Sequence, residues 1–332
     1  MNAGEQEPSM GFYMDAANGG IYRRNLFRLE NFSAYTLLNQ LPQMIGGYPD
    51  EQFAGEKLEN IRYGEEEREL LDIYVPTNLN PANNNDVILF IHGGSWTEGD
   101  KAEMAKQCIY YANRGYVTAT MSHTYALSAL KDGTSCTFYT INNEVGLAFA
   151  KIKELSDERN WNITQAAVNG YSSGCHVAFL YAYSQGNEPE APIPVKFAFG
   201  MVGSMDFHSE CWQNVSVSGP GLASLGTGDA RLADTENPYP QEEFDRIIDT
   251  VSPLAFAKQG DTVPTLAAYG EVDYLLIDYL NGVYLKDALD AQNIFNEIIF
   301  YPNSDHAMGT NPGCNKLYIR RSEKLLKEYF GY

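Results

Sequence analysis

Basic residues are scarce: 23 Lys and Arg stand against 43 Asp and Glu in 332 residues, a formal net charge of −20. A field of that sign repels polyanions, which argues against nucleic acid as a partner. Cysteine is scarce as well. The five present (Cys108, Cys136, Cys175, Cys211 and Cys314) are odd in number, widely spaced and without a C-x-x-C pair, which argues against a disulfide framework and against a structural metal. No apolar run reaches the roughly 18 residues of a membrane span. The opening Met1-Asn-Ala-Gly-Glu5 has neither the basic start nor the apolar stretch of a secretory leader, so the cytoplasm is the expected compartment. Sequons at Asn31, Asn162 and Asn214 carry meaning only in a glycosylating secretory route. There is no internal repeat and no low-complexity tract.

What is present is an ordinary globular composition, 44% hydrophobic and 20% charged, enough for a sizeable core. Residues 1–56 show little periodicity, although 26–44 could form one or two amphipathic helices; this part reads as an N-terminal extension contributing to a cap or pocket. From residue 57 short apolar runs bounded by Gly, Pro and Asn predict strands at 70–75, 87–91, 116–121, 166–169, 195–201, 264–269 and 297–301. The run 86–91 does not alternate, as expected of a strand covered on both faces. Helical patterns at 101–114, 142–158, 175–183, 279–291 and 316–329 lie between the strands. The alternation predicts an α/β domain over 57–332 with a mostly parallel central sheet, helices on both faces and ligands at the carboxyl ends of the strands. Residues 204–250 break the rhythm and are too long for a neutral loop, so they read as a lid or pocket insertion.

Two motifs carry chemistry. Gly170-Tyr-Ser172-Ser-Gly174 is a G-x-S-x-G sequence between a predicted strand and a predicted helix. A serine on that sharp turn has its Oγ thrust outward, small residues two positions away let the backbone close up, and the helix dipole favours developing negative charge. Earlier, Ile91-His-Gly-Gly-Ser-Trp96 follows another strand. Its glycines let backbone N–H groups converge on one point, as stabilisation of an oxyanion requires. Each motif alone also fits a plain glycine-rich turn; the two in this order are far more specific.

In these motifs the chain resembles the α/β-hydrolase superfamily, in particular the hormone-sensitive-lipase-like and feruloyl-esterase-like carboxylesterases, over roughly residues 57–330. The resemblance implies that the stretch from His92 to Lys101 supplies oxyanion donors and that Ser172 is the nucleophile. Gly94, Ser95 and Ser173 would then donate backbone N–H groups. Ser95 departs from the family, where a third glycine or an aromatic residue is common, and Ser173 replaces a frequent alanine. The remaining triad members should follow in the order acid, then histidine. Gly270-Glu-Val-Asp273 looks like the family's acid loop and nominates Asp273, with Glu271 as competitor; the end of the last strand nominates His306, with Asp305 as a neighbour.

The implied activity is hydrolysis of small or medium carboxylic esters through an acyl-enzyme, with no cofactor and no metal, on a small-molecule substrate. Acetyl or feruloyl esters of carbohydrates are within that scope. An amidase, arylformamidase or peptidase would use the same residues, and a non-catalytic binding module would usually lack one of them. Trp96, Tyr171 and Tyr125 are candidates for the substrate pocket, with Phe138 equally ambiguous. His92 reads as a brace of the donor loop, His176 as packing or a hydrogen bond, and His123 and His208 as satisfied loop residues that could instead touch substrate. Cys175 reads as a small core residue. Oligomeric state is not legible.

Overall fold

The seven predicted strands and one more pair into one eight-stranded sheet of order β1-β2-β4-β3-β5-β6-β7-β8 in a computed structural model that describes residues 47–260, 262–309 and 311–331. The strands are β1 (Glu56–Arg62), β2 (Leu70–Val75), β3 (Asn85–Ile91), β4 (Val117–Ser122), β5 (Ile163–Tyr171), β6 (Val195–Met201), β7 (Thr265–Gly270) and β8 (Asn296–Tyr301). β2 is antiparallel to both β1 and β4, and every other pairing is parallel. Strand β1 had no counterpart in the sequence reading; it is an edge strand with mostly exposed side chains. Its charged residues suit an edge that must not pair with a second chain.

Along β3 the pleat sends Val87, Leu89 and Ile91 into one core and Ile88 and Phe90 into the other. That two-sided burial is why its sequence does not alternate. The first core is covered by α2 (Phe138–Arg159), α3 (Ser173–Ser184) and α7 (Leu280–Ala291), through Val145, Phe149, Val177 and Leu285 among others. The second is covered by α1 (Ala105–Ala112) and α8 (Pro312–Phe330), through Cys108, Tyr111, Tyr318 and Leu326. Burying each such large side chain contributes about 1.5–3 kcal/mol.

Helix boundaries follow local chemistry. A 3₁₀ turn (Lys101–Met104) leads into α1, with Ala102 N–H donating to Asp100 Oδ1 and Asp100 N–H to Glu103 Oε1. The longer α2 starts under Thr137, whose hydroxyl caps Thr140, and stops at Asn160 in the left-handed region.

Between β6 and β7 the described residues form no strand and instead build α4 (Gly219–Thr227), α5 (Gln241–Asp249) and α6 (Pro253–Gln259) with two 3₁₀ turns. This insertion is fastened to the acid loop: Asn214 N–H donates to Asp278 (2.6 Å), Ser216 N–H to Tyr274 O (3.1 Å) and Ser216 Oγ to Leu275 O (2.9 Å). The expected helices at 26–44 lie outside the described residues. Those of the N-terminal segment that are described pack on the α1 side, where Tyr48 meets Tyr111 and Glu51 pairs with Arg114. Among the described residues no helix is long and apolar enough to cross a membrane.

Candidate active site

The carboxyl ends of β3, β5, β7 and β8 bring the four sequence signals together. Ser172 follows β5 directly and sits at φ 54°, ψ −124°, outside the regions an ordinary serine prefers. Its N–H donates to Met201 O at the end of β6, and its carbonyl accepts from Cys175 and His176 as α3 begins. The flanking glycines are required by contact: a Cβ on Gly170 would lie 2.2 Å from the Gly174 carbonyl, and one on Gly174 would lie 2.3 Å from the carbonyl oxygens of Ile91 and His92. The G-x-S-x-G pattern is therefore the condition for α3 to pack against β3 beneath the serine.

Ser172 Oγ lies 2.9 Å from His306 Nε2, and His306 Nδ1 lies 2.6 Å from Asp273 Oδ2. Because an ionised carboxylate only accepts, the ring proton sits on Nδ1 and the Nε2 lone pair faces the serine. His306 and Asp273 are buried while Ser172 is partly accessible. Asp273 Oδ1 also accepts from Ile277 N–H. The competing acids are occupied elsewhere: Glu271 accepts from Asn303 N–H, and Asp305 from Ala307 N–H.

In the turn after β3, Gly94, Ser95 and Trp96 have φ of 115°, 51° and 62°. Glycine is obligatory at 94, where a Cβ would come within 2.3 Å of Glu98 O. The two non-glycine residues cost about 1–3 kcal/mol each in that region, and bonds hold them there. Thr97 and Glu98 N–H groups both donate to Gly94 O (3.0 Å), and Ala126 N–H donates to Trp96 O (2.8 Å). Among the described residues no hydrogen-bond acceptor engages the N–H of Gly94, Ser95 or Ser173. The Ser173 hydroxyl is buried without a partner, so its side chain has no visible role.

The pocket candidates fall differently from expectation. Trp96 and Tyr171 are each only 2% exposed. The Trp96 indole N–H donates to His176 Nδ1, and the Tyr171 hydroxyl donates to the backbone carbonyl of His306. Both lie under the site as braces, which corrects their assignment to a pocket wall; an aromatic residue beside a motif does not reveal in sequence which way it points. Tyr125 is half-buried, with its hydroxyl on Gly99 O and the Arg68 guanidinium 3.8 Å over its ring. Phe138 is buried against Trp96 and His176.

The remaining histidines bond to groups other than Ser172 and Asp273. His92 and His123 stack with centroids 4.6 Å apart, each donating from Nδ1 to an adjacent carbonyl. Burial lowers the pKa of His92 to about 4 and, with the neighbouring His92, that of His123 to about 3. His208 bridges Asp206 (2.7 Å) and Asp245 (3.1 Å). Burial of the Cys175 thiol pushes its pKa far up, as suits a core residue. Among the described residues no group of three or more His, Cys, Asp or Glu is placed to hold a metal.

A mostly parallel sheet with helices on both faces, carrying a serine on the turn after β5 and an acid and a histidine after β7 and β8, is an α/β-hydrolase fold. The BD-FAE family model matches residues 71–289, well over half of the chain, and the protein belongs to that family. That span includes Ser172 and Asp273 and stops before β8. Kynurenine formamidase of Salmo salar is 24% identical over 148 residues, 44% of this chain; the match spans only 46% of that relative's length. Among solved structures, a truncated carbohydrate esterase from gut microbiota aligns with a TM-score of 0.66 at 19% identity, covering 86% of this chain and 99% of that one. Inhibited esterase B from Lactobacillus rhamnosis aligns at 0.65 and 17%, covering 89% and 95%.

Proposed function

We propose that the protein is a serine hydrolase of small or medium carboxylic esters. The observation that carries this reading is the line Ser172 Oγ, His306, Asp273, with bonds of 2.9 and 2.6 Å. Serine is a poor nucleophile until a base takes its proton during attack. His306 is that base; Asp273 holds its tautomer and stabilises the imidazolium, which then protonates the departing alcohol. Water repeats the cycle on the acyl-serine. Gly94, Ser95 and Ser173 bind the tetrahedral oxyanion, where loss of one donor costs about 10²–10³ in turnover. The carbohydrate esterase among the structural neighbours supports esters of sugars as substrates, and the net charge of −20 disfavours polyanionic ones. Residues 57–332 act as the catalytic domain, with 204–250 shaping access from the acid-loop side.

The test is hydrolysis of p-nitrophenyl esters from acetate to decanoate by the parent, Ser172→Ala and Ser173→Ala. Ser172→Ala should fold and lose about 10⁴-fold or more, whereas Ser173→Ala should keep most activity because its hydroxyl has no partner. Equal loss in both would reject Ser172 as the nucleophile. The formamidase relative favours a second reading, cleavage of an aryl formamide by the same residues. An N-formyl arylamine turned over with a higher kcat/KM than any ester in the series would select it.

A further inference from the structure

His176 lies four residues beyond the nucleophile on α3, is fully buried and touches none of the reacting groups named above. Both its ring nitrogens are nevertheless committed. Nδ1 accepts the Trp96 indole N–H at 3.0 Å, and Nε2 lies 2.8 Å from Val251 O. An indole only donates and a carbonyl only accepts, so the tautomer is fixed with the proton on Nε2. Apolar rings enclose it, Phe138 at 5.0 Å and Phe207 at 5.2 Å between centroids, leaving the imidazole no other polar contact among the described residues. Trp96 is the last of the three left-handed residues of the turn that carries the Gly94 and Ser95 amides proposed as donors. Val251 belongs to the insertion, two residues beyond α5 and two before α6.

We infer that His176 is a positioning residue for acyl transfer: it holds the donor turn Gly94–Trp96 in its left-handed geometry and ties that turn to the insertion through Val251 O. The inference rests on the serine-hydrolase reading and deepens it. A turn containing two strained non-glycine residues relaxes when its anchor is removed, and relaxation moves the amides away from where the oxyanion forms. Binding of the neutral ester changes little, because those amides act most strongly on the charge that develops in the transition state. The insertion thereby bears on turnover through a chain of two hydrogen bonds.

The experiment measures kcat and KM per active serine, counted by end-point labelling with a fluorophosphonate, for the parent and for His176→Phe, His176→Asn, His176→Gln and Trp96→Phe. Counting active serines removes any loss due to misfolded protein. His176→Phe keeps the ring volume and loses both bonds; its kcat should fall about tenfold to hundredfold with KM within twofold, less than the 10²–10³ of losing a donor outright. His176→Asn places Oδ1 where Nδ1 stood and should recover most of kcat. His176→Gln, whose amide reaches only toward Val251, should not. Trp96→Phe should match His176→Phe, and the double variant should fall no further. If His176→Phe does not fold, the contrast between the Asn and Gln variants decides. Equal kcat in all of these variants and the parent, with only thermal stability changed, overturns the inference alone. A parent that neither labels nor turns over overturns the serine reading and this inference with it.

Discussion

The serine and the acid each have a rival of like chemistry nearby, and the structure separates them by what each side chain already bonds. Ser173 Oγ is buried and unpartnered, Glu271 holds the Asn303 amide and Asp305 holds the Ala307 amide. Among the described residues only Asp273 reaches His306 Nδ1. Replacing it by Asn preserves shape but lets the amide donate, which favours the wrong imidazole tautomer. Asp273→Asn should therefore lower kcat about 10⁴-fold with an unchanged melting temperature, while Glu271→Gln stays near the parent; the reverse pattern in a steady-state assay would move the acid to Glu271. Gly170 and Gly174 were legible in sequence because backbone contact allows little else there. Trp96 and Tyr171 were not, since their roles depend on His176 and on the His306 carbonyl, residues far away in the chain.

Among the elements, strands buried on both faces read most clearly: β2 and β6 fall where their apolar runs predicted, and the others shift by a few residues at their ends. The exposed edge strand β1 and the short helices of the insertion carry no such pattern and went unread. In the insertion, Asp206 also accepts from the N–H groups of Phe207 and His208, and Asp245 of α5 meets the far side of the His208 ring. Burial pulls the His208 pKa down, but the hydrogen bond and charge of Asp206, with Asp249 and Asp245, outweigh it and raise the pKa above its ordinary value. The raised pKa stabilises the fold fully below the unfolded value near 6.5 and less as pH rises through the folded value. Asp206, whose pKa is lowered by the same histidine against its own burial, acts in the opposite direction, its contribution fading on acidification. Hydrogen exchange at the α5 amides, corrected for intrinsic rates, should therefore accelerate between pH 6 and 9 in the parent and not in His208→Gln. Pace independent of pH in the parent would show that the His208 bridge between Asp206 and Asp245 does not hold α5.

For the whole molecule, acid is the weak side. Burial lowers the pKa of His92, His123 and His176 to about 4, 3 and 4, so all three stay neutral in the fold and take up protons on unfolding. Each costs roughly 1.4 kcal/mol per pH unit once pH drops below about 6.5. Glu144, its pKa pushed up to about 7 by burial, opposes one of them, since its neutral form is favoured in the fold as pH falls. Denaturant midpoints should still decline from pH 6.5 to 4.5; a flat profile would mean that these rings are hydrated rather than buried.

The order of the strands has a last consequence, for the time course of assembly. Gly94 follows β3, Ser172 follows β5, Asp273 follows β7 and His306 follows β8, so the reactive line closes only when the far edge of the sheet has docked. Parallel pairings between distant segments are slow to form. Trp96 packs against Phe138 and His176, and Trp161 lies between α2 and β5, all in segments that precede the far edge of the sheet. On dilution from denaturant, tryptophan emission should recover first and fluorophosphonate reactivity at Ser172 in a later phase. A chain caught between the two phases would look folded by its fluorescence and yet lack a nucleophile.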